Sequence, residues 1–459
     1  LLHDGCWALW EPGPGAVSAS GAGYFQKDQS ESLAWPFDGQ DIASFRGYQM
    51  DTFPKDGWTI KDGTLRTIAD GKVVDLITKK KYRNFELIFD WKVTSGANSG
   101  VMYRVDESKS SPWHTGPEYQ ILDDSKHNDG KNPLTSAGSL YALISAQNKT
   151  LKPVGNYNQS RIVLAGDSLE HWLNGDKVVA CDIESYGVNT LVKGSKFSSH
   201  EDFMKKQTGH IVFQHHHDEV WFKNIKVREL PEQETLPDGK RVNTISKAQR
   251  EAGWRNLFNG KNTNQWRGFK KETFPQKGWI IENDCIKHIS KGGGGDIITK
   301  QKYGQFDFQW EWKVAPAANS GVKYFIMEER GGAIGHEYQV IDDSKHPDAL
   351  RGPKWQTAAF YDVFPATNRV LKPVGSFNTS RVMVKNQQAE HWLNGVMVLN
   401  YALGSQRVLD AVATSKFKKV NRFGYRHQGH ILLQDHSDEV HYRNLKIKRL
   451  GKGKKKKQP

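Results

Sequence analysis

The hexapeptide Glu170-His171-Trp172-Leu173-Asn174-Gly175 recurs letter for letter as Glu390-His391-Trp392-Leu393-Asn394-Gly395. An identity of that length containing Trp and His is not a chance event. It anchors a longer duplication, so any fold this chain adopts must be built twice. Locally the hexapeptide reads as strand, turn, strand. Asn-Gly is the strongest short hairpin signal, because both residues tolerate the positive φ of a type I′ turn. Leu169 with Val178-Val179, and Met397-Val398-Leu399, supply the apolar flanks.

Extending from that anchor, further blocks pair at a near-constant offset. Asp75-Leu76-Ile77-Thr78-Lys79 matches Asp296-Ile297-Ile298-Thr299-Lys300, and Asn98-Ser99-Gly100-Val101 matches Asn319-Ser320-Gly321-Val322. Glu118-Tyr119-Gln120 matches Glu337-Tyr338-Gln339, and Ser195-Lys196-Phe197 matches Ser415-Lys416-Phe417. Within each copy, segments such as Phe85-Glu86-Leu87-Ile88-Phe89-Asp90-Trp91 alternate apolar and polar residues, the mark of a sheet with one face buried. Short strands between turn signals, with few helical periods, predict an all-β protein in which each of two tandem domains is an antiparallel sandwich or jelly roll. A chain of 459 residues suits two such domains.

The repeats are expected at 32–230 and 251–450, with a Gly/Ala/Ser/Pro-rich leader or linker remnant at 1–31 and a polar linker at 231–250. In that linker Ser246 caps a short helix ended by Gly253. The formal charge of +14 owes part of its size to five lysines in the tail 451–459, which has nothing apolar to fold around. The remaining positive charge is interspersed with acidic residues, which argues against a nucleic-acid partner. No uncharged apolar run reaches the roughly 18 residues of a helical membrane span. Cys6, Cys181 and Cys285 occupy non-equivalent positions without metal or redox spacing and read as incidental. The start has no apolar signal-peptide core and looks truncated or processed; a bacterial protein of the periplasm or the extracellular space is the expectation.

These blocks, with Leu122-Asp123-Asp124 and Ile341-Asp342-Asp343 and the closing Gly209-His210-Ile211…Gln214 and Gly429-His430-Ile431…Gln434, resemble the 3-keto-disaccharide hydrolase family. The likeness covers both repeats. It implies a concanavalin A-like jelly roll and substrates that are glycosides oxidised at C3 of the sugar ring. A C3 ketone acidifies the C2 proton, so a base can form an enolate and expel the C1 oxygen by β-elimination, after which water adds. Such a site needs a base near C2, a donor or cation at the C3 oxygen and an acid for the leaving group. A divalent cation is a possible enolate stabiliser.

Period-two logic places Glu118 and Gln120 opposite Tyr119, and His210, Gln214 and His216 opposite Ile211 and Phe213. The second copy repeats this with Glu337, Gln339, Gln434 and His436. Glu118 or His216 is the expected base, with Glu337 or His436 as equivalents. Asn98, Gln120, Gln214, Asn319, Gln339 and Gln434 are expected at the substrate. Asp123, His127, Asp342 and His346 either bind substrate or a cation or cap a turn. Lys196 and Lys416 hold the ketone oxygen or are surface lysines. Trp172 and Trp392 line a cleft or pack in the hairpin, with His171 buried. His215, His216 and His217 cannot all coordinate one ion, because neighbours on a strand point to opposite faces. Arg104, common in the family, is Phe325 in the second copy, and His215 stands where the family's Asp is kept as Asp435. The partner class is carbohydrate. The rival reading is a non-catalytic, lectin-like binding module; a third is surface adhesion through the lysine tail.

Overall fold

The computed structural model describes residues 36–231 and 242–451. The expectations for the leader, the basic tail and Cys6 fall outside the described residues. In the first repeat a five-stranded sheet runs in the order Phe45–Gly47, Leu76–Thr78, His210–Phe213, Asn98–Val105, Glu118–Leu122. It packs on a larger sheet that includes Phe85–Val93, Asn158–Ala165, Ser168–Leu173, Asp176–Asp182 and Val220–Glu229. The second repeat builds the same two layers, its smaller sheet formed by Trp266–Gly268, Ile297–Thr299, His430–Leu433, Asn319–Ile326 and His336–Ile341. The expected pair of antiparallel sandwiches is therefore present.

The alternating segments fold as their period demands. Phe85, Leu87, Phe89 and Trp91 are all buried between the layers, as are Phe306, Phe308, Trp310 and Trp312. Burying each such side chain contributes about 1.5–3 kcal/mol. Asn174 and Gly175 have φ of 49° and 91°, and Asn394 and Gly395 have 49° and 84°, the positive pair a type I′ turn requires. Ser246 caps the Lys247–Glu251 helix with a reciprocal Gln249 bond, a capping box.

The larger sheets of the two repeats meet edge to edge. Asp176–Asp182 pairs antiparallel with Val396–Ala402 through Cys181 and Val396, and Asp182 N–H donates to the Gly395 carbonyl at 2.8 Å. The result is one 15-stranded sheet running through both repeats. This junction decides the fate of the repeated hexapeptide. The Trp172 and Trp392 rings lie on the outer face of that sheet, each donating Nε1–H to its own glutamate, Glu170 or Glu390, at 2.9 Å. Arg161 and Arg381 cover them at 5.0 and 5.1 Å. Neither tryptophan lines a cleft beside Glu118 or Glu337. The alternation that turns Leu173 inward turns Trp172 outward, on the far side of the sandwich from Glu118.

Lys177 pins the junction. Its Nζ lies 2.8 Å from Glu170 and 3.1 Å from Glu390, one glutamate from each repeat. Burial works against its charge, but the two carboxylates outweigh it and hold its pKa above the ordinary value. The equivalent position in the second repeat is Met397, packed on Trp392 and Ala180. Lys177→Met should cost about 3–5 kcal/mol by removing the cation shared between buried Glu390 and half-buried Glu170. Adding Glu170→Gln and Glu390→Gln should recover most of that loss, measured as the thermal unfolding midpoint. Equal midpoints for wild type and Lys177→Met would count against the lock.

Candidate functional site

Strand pairing sets the floor of each site on the outer face of the smaller sheet. Tyr119 points into the core, so Glu118 and Gln120 point out. Across the strand pair Gly100 faces Gln120 and Met102 faces Glu118. Gly100 is needed because a Cβ there would stand 1.9 Å from Glu118 Oε1 and 2.7 Å from its Cδ. In the second repeat a Cβ on Gly321 would stand 2.4 Å from Glu337 Oε1 and 3.1 Å from Gln434 Oε1. Each glutamate thus lies folded down over a glycine, and both are buried.

Beside each glutamate stands a lysine delivered by the Ser-Lys-Phe block. Ser195 Oγ accepts from Phe197 N–H at 3.1 Å, and Phe197 anchors the turn by stacking on Phe203 at 3.9 Å. That leaves Lys196 to reach back toward Glu118. Although Lys196 as a residue is exposed, its ammonium lies 4.3 Å from the centre of the Tyr141 ring, and burial there lowers its pKa. Lys416 lies 4.1 Å from the Tyr361 ring in the same way. Tyr141 donates to Asp129 at 3.2 Å and Tyr361 to Asp348 at 2.9 Å.

Burial pushes the Glu118 carboxyl up to about 8; Lys196 pulls the other way, and Asp75 and Asp129 add to the rise. Asp75 is itself pushed up to about 6 by burial, while accepting the His215 N–H at 2.9 Å. Orphaned acceptors lie alongside. Gln120 Nε2 donates to Asn98 at 3.0 Å, but Gln120 Oε1 is buried without a partner among the described residues, and so is Gln434 Oε1. The Gln339 amide lies 3.3 Å from Asn319 Oδ1 and 3.3 Å from Glu337 Oε1. Buried amide oxygens facing a carboxylate and an ammonium suit the hydroxyls of a sugar.

Several expected site residues stand elsewhere. His216 and His436 are exposed on the loops after strands that end at Phe213 and Leu433, so strand alternation no longer governs them. Arg104 and Phe325 have φ of 53° and 60° at a bulge opposite Ile211 and Ile431. The extra residue reverses the face, and Arg104 is buried, donating to the Gly166 carbonyl at 2.9 Å rather than meeting substrate. Asp123 and Asp342 are turn caps. Asp123 accepts from Gly96 N–H at 2.8 Å and Ser125 N–H at 2.9 Å, and Asp342 from Ala317 at 2.8 Å and Ser344 at 2.9 Å. His171 is buried against Tyr103 at 2.9 Å, as expected.

A metal reading meets a chemical obstacle. His346, His436 and Asp438 bring one ligand atom each within 4.8 Å of one another. Yet His346 Nδ1 accepts the Asp348 N–H at 3.0 Å, and His127 Nδ1 accepts the Asp129 N–H at 3.1 Å. A neutral imidazole whose Nδ1 accepts carries its proton on Nε2, so this ring is poised as a donor and does not fit an ion at Nε2. In the first copy, His215 is buried edge-on to Trp58 with Nε2 3.1 Å from the Ile68 carbonyl, while His216 and His217 are exposed.

Sequence reasoning missed Asp75, Tyr141 and the glycine beneath the glutamate as site residues. All lie in paired positions of the repeats (Asp296, Tyr361, Gly321), which is the signal that points to them. It also missed Trp113, 5.4 Å from Lys196 and edge-on to the stacked pair His114 and His200 in the first repeat.

Glu118 should also leave a signature in stability. Its ordinary value lies near 4.5, so between about pH 5 and pH 8 the folded chain holds a proton that the unfolded chain has lost. Stability present below that window is lost as pH rises through it. Thermal midpoints should therefore fall less steeply from about pH 5 to pH 8 in Glu118→Gln than in wild type. Parallel slopes would contradict the burial of this carboxylate.

With that geometry established, the likenesses to known proteins are informative. The family described as 3-keto-alpha-glucoside-1,2-lyase-like domain matches residues 35–228 and again residues 253–448. A curated relative from Bacteroides thetaiotaomicron, named 3-keto-disaccharide hydrolase, is 35% identical over 227 residues, which is 43% of this chain and 78% of the relative. A solved structure from Parabacteroides distasonis, named provisionally as a glycosyl hydrolase, is 30% identical with a TM-score of 0.41, covering 43% of this chain and 94% of its own. A second from the same organism is 28% identical with a TM-score of 0.35, covering 44% of this chain and 100% of its own. The family match falls on both copies of the site, and the chain belongs to the 3-keto-alpha-glucoside-1,2-lyase-like family as a tandem member.

Proposed function

We propose that the protein cleaves glycosides oxidised at C3 by moving the C2 proton, with Glu118 and Glu337 as the proton-transfer groups. The observation that supports this most directly is a buried glutamate seated over a glycine with a lysine ammonium at its side, built in both repeats. A desolvated carboxyl near 8 is a far stronger base, once ionised, than a free one near 4.5, which suits a weakly acidic C–H. The name of the Bacteroides relative points to the same substrate class.

The bond changes follow from the ketone. The C2–H bond breaks and its proton passes to the glutamate, while the electron pair spreads onto the C3 oxygen, where Lys196 or Lys416 opposes the charge. That pair then forms the C1=C2 bond as the C1–O bond breaks, and the leaving oxygen takes a proton. The Nε2–H of His127 or His346 is a donor held in one tautomer and suited to that step. Water then adds at C1 and a proton at C2, so the net reaction is hydrolysis. Gln120 Oε1 and Gln434 Oε1 accept sugar hydroxyls and so fix the ring over the carboxylate.

The test is turnover of a panel of 3-keto-glycosides by wild type, Glu118→Gln, Glu337→Gln and the double variant. The double variant should lose about 10²–10⁴-fold in rate while staying folded. Undiminished activity in it would exclude these glutamates, and sugar binding without turnover in wild type would favour the lectin-like reading. Gly100→Ala and Gly321→Ala make a second test. A new methyl group meets the free end of a flexible side chain, so the fold should persist while the glutamate is pushed aside. Turnover in the double alanine variant should fall about a hundredfold with little change in thermal midpoint. Retained turnover would show that the close approach over glycine is dispensable.

A further inference from the structure

The junction of the repeats is closed at one end and open at the other. Equivalent strands pair antiparallel there, so a perfect two-fold would repeat every contact. At the closed end the Asn394-Gly395 turn seats on the start of the Tyr186–Lys193 helix, where Gly187 N–H donates to the Asn394 carbonyl at 2.9 Å. That approach needs glycine, because a Cβ on Gly187 would stand 2.7 Å from the Asn394 oxygen. In the second repeat the equivalent residue is Arg407. There the Asn174-Gly175 turn stands clear. A Cβ on Gly175 would meet nothing within 4 Å, whereas one on Gly395 would stand 2.1 Å from Ser185 Cβ. Side chains bridge the strands at this open end, Asn400 Nδ2 donating to the Lys177 carbonyl at 2.9 Å and Asn148 Nδ2 to the Asn400 carbonyl at 3.1 Å.

The opening is a cleft of about 550 Å³, lined from the first repeat by Asn148 and Asp176 and from the second by Lys385, Gln387, Gln388 and Arg407. That volume falls in the range of small-molecule sites, about 300–1,000 Å³. Lys177 at its centre is already neutralised by Glu170 and Glu390. Two cations are left over. Lys385 is half-buried with neither a hydrogen bond nor an ion pair among the described residues, and burial and the neighbouring Lys177 both lower its pKa. Arg407 lies over the Phe364 ring at 4.7 Å and has no carboxylate partner among the described residues. Asp176 is likewise unpaired, its carboxyl raised by burial with no cation drawing it down. A bound anion would satisfy the two cations, while Asp176 and the glutamine amides suit hydroxyl groups.

We propose that this cleft is a binding site for an acidic saccharide, its carboxylates met by Lys385 and Arg407 and its hydroxyls by Asp176, Gln387 and Gln388. Charge alone would suit any small anion; the carboxylate and the amides add partners that only a polyol uses. Recognition is polar rather than by stacking, because the Trp172 ring at the cleft is covered by Arg161 at 5.0 Å and Lys177 at 5.4 Å. Neither repeat holds the site alone, since both free cations come from the second and Asp176 from the first. At the two-fold equivalent end, Ala165 stands for Lys385 and Gly187 for Arg407. The change from Gly187 to Arg407 thus opens the cleft and charges it at once. The site lies on the outer face of the shared sheet with Trp172, on the far side of the sandwich from Glu118, and binds independently of the chemistry there.

Digalacturonate is the probe, titrated calorimetrically into the full chain, with maltose as a neutral disaccharide and inorganic sulfate as a bare anion. Digalacturonate should bind more tightly than either, and less tightly as salt is raised. Lys385→Gln and Arg407→Gln should each weaken it at least about tenfold. Thermal midpoints of these variants should match wild type, because neither cation holds a partner whose loss would cost stability. Lys385→Arg and Arg407→Lys keep the charges and should keep the binding, and Asp176→Ala should weaken it with both cations in place. Absence of digalacturonate binding, equal binding of maltose or of sulfate, or undiminished binding of digalacturonate in the Lys385→Gln, Arg407→Gln double variant would each overturn the assignment.

Discussion

Tyr119 and Tyr338 decide which side of the smaller sheet carries the chemistry. The Tyr119 hydroxyl donates to the Trp172 carbonyl at 3.2 Å and accepts from Ser160 at 2.8 Å, while Trp91 Nε1–H donates to Ser160 at 2.8 Å. Tyr338, Ser380, Trp312 and the Trp392 carbonyl repeat the chain. These bonds cross the sandwich and fix the register of the Glu118–Leu122 strand against the larger sheet. A slip of one residue would turn the tyrosine to solvent and drive Glu118 into the core, exchanging a satisfied network for a buried charge. With Tyr119 held inward, Glu118 and Gln120 can only face out. The repeated hexapeptide is one end of this clamp: its backbone receives Tyr119, and His171 receives Tyr103. Its contribution to the site is made through the core, at one remove.

Placing a carboxylate on that face is unfavourable unless something makes room and offsets the desolvation. Gly100 and Gly321 make the room. The surroundings differ between copies: Met102 stands where the second copy has Lys323, and His215 where it has Asp435. Met102 joins an apolar patch and leaves Glu118 to keep its proton, whereas Lys323 adds a countercharge beside Glu337. Two copies of one scaffold can thus diverge in electrostatics while keeping the same strand order in the smaller sheet. The edge-to-edge sheet contact, with Lys177 shared between Glu170 and Glu390, joins them by their scaffold sides and leaves both smaller sheets outside the junction.

Period-two alternation succeeded where a strand is regular and failed where it is not. Glu118, Gln120, Glu337 and Gln339 lie where alternation puts them, because their strands run unbroken to Leu122 and Ile341. The extrapolation to His216 and His436 failed because their strands stop three residues earlier, and nothing local in Gln214-His215-His216 announces that end. Arg104 failed for another reason. A bulge adds one residue against the neighbouring strand, and a sequence pattern cannot register an extra residue that only pairing reveals. Trp172 serves as hairpin scaffold, as one of its two readings had it; alternation puts its ring on the far side of the sandwich from Glu118, where it borders a cleft at the junction of the repeats.

By itself the sequence determined the duplication, the antiparallel sandwich in each copy, the Asn-Gly hairpins and the facing of Glu118 and Glu337, because each rests on local period or turn chemistry. Only the tertiary structure decided what surrounds those glutamates. Asp75, Lys196, Tyr141 and Gly100 come from four separate segments, and whether they meet depends on long-range strand order that no local pattern encodes. The same holds for the shift of Glu118, which is caused by burial, a property of the assembled sheet rather than of the residue.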